Sequence, residues 1–153
     1  MATDVQATRA NIYGVLNNAR EELLAAIDGL KPELMAVPVL GDWSVKDIVT
    51  HVTSWEELIL LDLNRLKRGR IPARYHEATD KWNETLMSVR RGFPLDQVLA
   101  ELGETRDALM KALDEVADDQ FAAGDVPGSC QITALHDWEH ARQIKEWRSQ
   151  QGV

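Results

Sequence analysis

Two histidines lie four residues apart near the end of the chain, in the stretch LHDWEHARQIKEW that covers residues 135–147. Helical side chains four residues apart differ by about 40° around the axis and about 6 Å along it. His136 and His140 therefore project from one face on successive turns. Two imidazoles in this arrangement can bind one metal ion, so the pair is the first candidate for chemistry.

The alternative role for such histidines is that of hydrogen-bonded core residues. Both belong to a predicted inward stripe of the last helix, which consists of Ile132, His136, His140, Ile144 and Trp147. Each ring would need its own buried partner, because an unpaired polar group in a core costs on the order of 1–3 kcal/mol. One metal ion satisfies both rings, and we prefer that interpretation.

A third ligand has to come from elsewhere in the chain, where His51, His76, Cys130 and several carboxylates are available. His51 borders the apolar face of the second predicted helix. His76 stands among polar residues, where exposure to solvent is the usual outcome, and Cys130 points away from the histidine pair as a small buried thiol. We therefore predict His51, His136 and His140 as the metal ligands.

Three neutral imidazoles leave a divalent ion its full charge and one open coordination position, which is typical of a catalytic site. Zinc and nickel are the predicted metals, because imidazole suits both.

The segment from His136 to His140 also fits the H-x-x-E-H pattern of inverted zinc peptidases. Those enzymes take a further acidic ligand from a separate downstream helix, whereas the 13 residues after His140 continue the same predicted helix. We therefore set the peptidase aside. Glu139 is kept as a candidate catalytic acid or base, or as a group that orients a ligand.

Helical periodicity covers most of the chain, without a convincing strand, and predicts an all-α four-helix bundle. The predicted helices cover residues 4–28, 45–67, 95–116 and the chain after Ser129, and a long crossover between the second and third holds a short helix near residues 80–90. Ser44 and Asp47 form a capping box before the second helix. Pro127, Gly128 and Ser129 supply a breaker and an N-cap for the last one.

Composition limits the function further. A chain of 153 residues with 44% hydrophobic content predicts one domain over residues 1–153. A net charge of −8 argues against nucleic acid as a partner, and no apolar run is long enough for a membrane span. With Cys130 as the one cysteine and no secretory leader, we expect a cytoplasmic protein. The expected partners are a small-molecule substrate and a second copy in a homodimer.

Several motifs resemble the DinB-like superfamily of metal-binding four-helix bundles. They are LGDWSVKDIVTH at residues 40–51, the following Trp55-Glu56, and H-x-x-x-H before Gln143-Ile144. The stretches DKWNE at residues 80–84 and LDQVLAEL at residues 95–102 are similar to its ClbS/DfsB branch. The resemblance implies an up-down-down-up bundle, with a divalent metal held by His51, His136 and His140.

Superfamily members of known activity include thiol-dependent transferases and isomerases. The resemblance therefore implies that this chain could have an activity of that kind. The leading hypothesis is an enzyme whose metal activates water or a low-molecular-weight thiol against an electrophilic small molecule. Trp43, Trp55 and Trp138 are predicted to wall its pocket, with ordinary packing as their alternative role. The alternative function is a non-catalytic metal- or ligand-binding bundle.

Overall fold

The helices follow the predicted periodicity over most of their length. The computed structural model describes residues 2–73, 79–123 and 125–153. Within those ranges the elements are α1 (Ala2–Ile27), a 3-10 turn (Leu34–Ala36), β1 (Pro38–Leu40), β2 (Trp43–Ser44), α2 (Val45–Lys67), α3 (Thr79–Arg90), α4 (Leu95–Glu115), α5 (Asp118–Ala123) and α6 (Val126–Gln151). The predicted all-α class is confirmed. None of the helices in the described part of the chain is long and apolar enough to cross a bilayer.

The first turn of α2 is fixed by the predicted capping box. The Ser44 hydroxyl accepts a hydrogen bond from the Asp47 backbone N–H at 3.1 Å, and the Asp47 carboxylate accepts one from the Ser44 N–H at 3.0 Å. A hairpin precedes this cap, in which β1 pairs antiparallel with β2 and Gly41 adopts a φ of 56°. The expectation of no strand is therefore wrong here, because strands of two and three residues are too short to show alternation.

The last helix begins earlier than predicted. α6 starts at Val126, with Pro127 in its first turn, where proline is tolerated because its nitrogen needs no intrahelical partner. Gly128 and Ser129 consequently lie inside the helix, so that Ser129 is not its N-cap. Asp125 precedes the helix with a φ of 51°. The short helix α5, just before it, has no counterpart in the sequence prediction.

Two groups of buried apolar residues fill the space between α1, α2, α4 and α6. The first group includes Leu23, Ile48, Leu102 and Ile144, and the second includes Leu16, Leu63, Leu109 and Ala134. Along α2 and α4 the chain passes from the first group to the second, whereas along α1 and α6 it passes from the second to the first. Helices α1 and α6 thus share one direction relative to the two groups, and α2 and α4 share the opposite one.

A layer of four charged residues, one from each of these four helices, lies between the two apolar groups. This ion layer consists of Arg20, Glu56, Arg106 and Asp137, all of them buried. Arg20 contacts Asp137 at 2.9 Å and Glu56 at 2.5 Å, and Arg106 contacts the same two carboxylates at 3.0 and 2.5 Å. The guanidinium groups also donate to main-chain carbonyls of α4 and α1. The layer therefore connects all four long helices at one level.

Candidate metal centre

Three histidine rings converge between α2 and α6. This histidine cluster consists of His51, His136 and His140, whose ring nitrogens offer ligand atoms within 4.8 Å of one another. The Nε2 atoms of His51 and His136 are 2.7 Å apart, and the ring centroids are separated by 4.5 to 5.1 Å. Within the described ranges no cysteine or carboxylate joins the cluster. The chain thus brings the three predicted ligands together, and they can hold a metal ion.

The position of His51 is set from the N-terminal side of α2. The capping box fixes the start of the helix, and His51 follows about two turns later. Its ring packs against the ring of Trp43, with a centroid separation of 4.7 Å and an interplanar angle of 52°. Trp43 belongs to β2, so the hairpin missing from the sequence prediction supports one of the ligands.

The buried face of α6 differs from the predicted stripe. His140 and Ile144 are buried and His136 is partly buried, but Ile132 is 68% exposed. Along a helix, the side chain four residues further on points about 40° away from the first. Three such steps add up to about 120°, so a row of residues spaced by four leaves the buried face. Asp137 occupies the centre of that face instead, fully buried in the ion layer.

A hydrogen-bond chain along α6 orients the ring of His140. Its Nδ1 lies 2.8 Å from the side-chain oxygen of Gln143, and the Gln143 amide donates to Glu139 at 3.0 Å. Because an amide oxygen can only accept, Nδ1 carries the proton and Nε2 keeps its lone pair for a metal. Outer partners of this kind fix the tautomer of metal-binding histidines.

Burial keeps the three rings neutral. It lowers the pKa of His51 to about 3, with the neighbouring histidines as a smaller cause. Burial likewise lowers the pKa of His136 to about 4, with His140 as the next cause. The pKa of His140 is lowered by burial too, although its hydrogen bond with Gln143 acts in the opposite direction. Neutral imidazole is the form that binds a metal, so the cluster is ready for one near pH 7.

The spacing of the His51 and His136 rings is close to that of two ligands of one metal ion. Two nitrogens at about 2.0–2.1 Å from a tetrahedral ion lie about 3.3 Å apart. The Nε2 atoms of His51 and His136 would therefore separate by about half an ångström from their present 2.7 Å. Side-chain rotation supplies such a shift, and nitrogen donors of this kind suit zinc or nickel.

A cavity of about 490 Å³ opens beside the histidine cluster. Its described walls come from three helices: His51, Val52, Trp55, Glu56 and Ile59 of α2; Thr79 and Asn83 of α3; and Ile132, Thr133, Leu135, His136 and Asp137 of α6. Arg90 holds α3 in place, because its guanidinium binds Ser54 and Glu57 on α2 and Glu101 on α4. A small molecule in the cavity would reach the side of the cluster formed by His51 and His136.

The three predicted pocket tryptophans occupy different places. Trp55 lines the cavity, and Trp43 packs on His51 without being part of the cavity wall. Trp138 lies in a separate surface depression beside Glu22 and Arg142, so it does not wall this cavity. The rotation of α6 explains the difference, since position 138 faces away from His136 by about 200°.

Glu139 and Cys130 are not part of the histidine cluster. Glu139 is exposed, and hydrogen bonds from Arg142 lower the pKa of its carboxyl, which is therefore ionised at neutral pH. Cys130 is buried among apolar residues, and burial raises the pKa of its thiol to about 12. His76 lies outside the described residues. Sequence reasoning missed Asn83 and the ion layer, for which no spacing pattern gives a signal.

Fold and site together define a helical protein in which three histidines that could hold a metal ion lie beside a cavity. A sequence model of the DinB superfamily matches residues 16–144, which include all three histidines. The chain belongs to the DinB superfamily. No curated protein and no solved structure matches it significantly.

Proposed function

We propose that this protein is a metal-dependent enzyme, a hydrolase or a thiol-dependent transferase, whose metal activates water or a low-molecular-weight thiol against an electrophilic small molecule. The observation that carries the proposal is the histidine cluster beside a cavity, since no fourth cysteine, histidine or carboxylate among the described residues belongs to the cluster. A closed structural site would have four protein ligands, whereas a three-ligand site keeps one position open.

The metal, zinc or nickel, would supply Lewis-acid chemistry that lowers the pKa of the nucleophile. His51, His136 and His140 would hold it, and Gln143 would orient the last of these rings. Glu139 would act through Gln143, because its own carboxylate is exposed and ionised. The cavity would place the electrophilic carbon near the cluster and exclude bulk water from it.

With an epoxide as the electrophile, the oxygen or sulfur of the nucleophile forms a bond to a ring carbon while that carbon's bond to the ring oxygen breaks. The proton lost by the nucleophile ends on the released oxygen. This addition is balanced without an oxidant or reductant.

The motifs DKWNE and LDQVLAEL support placement nearest the ClbS/DfsB branch of the superfamily. A reduced, buried Cys130 fits a cytoplasmic location. A homodimer is proposed as the assembly, and light scattering of the purified protein at several concentrations tests it.

The test of the function begins with zinc- and nickel-loaded protein whose metal content is measured by mass spectrometry. Each form is mixed with styrene oxide, 4-nitrophenyl acetate or benzylideneacetone, with and without 2-mercaptoethanol, and the products are separated by chromatography. A diol, hydrolysed ester or thioether formed faster than with His136→Ala supports the enzyme. Stoichiometric metal without turnover above that variant would favour the non-catalytic bundle instead.

A further inference from the structure

The wall of the cavity beside the histidine cluster is mainly apolar. Val52, Trp55 and Ile59 of α2 face it together with Ile132 and Leu135 of α6. The last two side chains remain 68% and 59% exposed, so they lie where the cavity meets solvent. An apolar ligand would remove this surface from water, which favours binding in proportion to the apolar area covered.

The charged groups in the wall are already neutralised. Glu56 and Asp137 are its charged residues among those described, and both are buried. Their carboxylates are held by Arg20 and Arg106, which do not line the cavity. No described lysine or arginine faces the cavity. Without a cation from these described walls, a negatively charged ligand would lose its hydration with no compensating ion pair there.

One polar side chain in the wall has donors left over. The indole N–H of Trp55 donates to Asn83 Oδ1 at 2.6 Å. Since an indole can only donate, this bond fixes which end of the Asn83 amide is oxygen. No described residue accepts a hydrogen bond from the Asn83 Nδ2, so its two N–H groups remain available to a ligand.

We propose that the cavity selects neutral, mainly apolar small molecules that carry a hydrogen-bond acceptor, and that Asn83 is the residue that recognises this acceptor. A flat apolar group would pack against Trp55, while an oxygen such as a ketone carbonyl accepts a hydrogen bond from Asn83 Nδ2. The inference rests on the proposed function for the role of the cavity as the substrate site. Binding itself requires no metal.

The test uses three probes of similar shape, which are acetophenone, ethylbenzene and benzoate. Each is titrated into ¹⁵N-labelled full-length protein, first freed of metal with a chelator and then loaded with zinc, and amide and indole resonances are followed by NMR. In metal-free protein, acetophenone should shift the Asn83 side-chain and Trp55 indole signals. Ethylbenzene should bind about 3- to 10-fold more weakly, since it lacks the acceptor. Benzoate should show no saturable binding.

Two variants test the role of Asn83. Asn83→Asp keeps an acceptor for the Trp55 indole but removes the amide donors, and it should weaken acetophenone binding by about 3- to 10-fold while ethylbenzene binding stays the same. Asn83→Leu removes both groups and should give the same loss for acetophenone. Asn18→Asp makes the matched change on the exposed face of α1 and should leave both affinities at the wild-type value.

Unchanged acetophenone affinity in both Asn83 variants would overturn the recognition role. Metal-free protein that binds benzoate as tightly as acetophenone would overturn the selection for neutral ligands. Neither result would affect the metal content or turnover of the loaded protein, so failure of this inference is distinguishable from failure of the proposed function.

Discussion

Removal of one carboxylate from the ion layer should destabilise the protein far more than removal of a carboxylate from its surface. Asp137→Ala leaves the guanidinium groups of Arg20 and Arg106 buried with Glu56 as their one remaining counter-ion in the layer. Breaking a buried ion network by deleting one partner costs about 3–5 kcal/mol. That is a large part of the roughly 5–15 kcal/mol by which native domains are typically stable.

The matched control lies two residues further along the same helix. Glu139 is also paired with an arginine, Arg142, but both side chains are more than half exposed. Exposed pairs contribute little, because water screens them and the side chains lose entropy on pairing. Glu139→Ala should therefore leave the unfolding midpoint within experimental error of the wild type.

Urea unfolding followed by circular dichroism measures both variants. With an m-value of about 2 kcal/mol/M, a loss of about 3–5 kcal/mol lowers the midpoint by about 1.5–2.5 M. Asp137→Asn, which keeps an oxygen acceptor without the charge, should fall between Asp137→Ala and the wild type. If Asp137→Ala and Glu139→Ala shift the midpoint equally, the ion layer does not hold the helices together as argued.

Three further predictions concern the histidine cluster. Wild-type protein should retain about one equivalent of zinc or nickel and His136→Ala almost none, as measured by mass spectrometry of the metal. Stoichiometric metal in the variant would contradict the ligand assignment. Gln143→Leu should weaken metal affinity by about 10- to 100-fold, as measured by competition with a chromogenic chelator. The control Gln150→Leu, on the exposed part of the same helix, should keep the wild-type affinity. Equal affinities in the two variants would exclude an orienting role for Gln143. Because the folded state lowers the pKa of His51 to about 3 and of His136 to about 4, the unfolded chain binds more protons below about pH 6.5. The metal-free protein should therefore lose stability as the pH falls from about 6.5 towards 4, by up to about 1.4 kcal/mol per pH unit for each histidine, and urea midpoints that do not change across this range would refute the assignment.

The parts of the fold that local signals determine could be predicted from the sequence. The Ser44 capping box and the apolar spacing that follows it located α2 correctly. The spacing of His136 and His140 placed their rings on one face, and His51, the candidate chosen from the second predicted helix, lies close to both. Histidine is rare in this chain, which left few candidates to choose among.

Other features depend on which side chains meet across the core, and no local pattern reports that. Arg20 and Arg106 read in the sequence as ordinary surface charges, yet both are buried because they face carboxylates on two other helices. Ile132 shows the opposite error, since its apolar side chain suggests burial but its angle around α6 turns it towards solvent. The pairing of Trp55 with Asn83 joins α2 to α3 across 28 positions of sequence.

The ion layer and the histidine cluster are coupled through neighbouring residues. Asp137 follows His136 directly, and Glu56 lies little more than one turn after His51 on α2. The arginines bridge these two carboxylates, so they connect α2 and α6 beside the histidine cluster. A shift of α6 by one residue would turn its face by about 100°. That shift would separate Asp137 from both guanidinium groups and move His136 away from His51. Apolar side chains would tolerate such a shift more easily than this network, because they have no ion pairs to lose. We therefore expect the ion layer to favour the arrangement of the helices that brings the three ring nitrogens together.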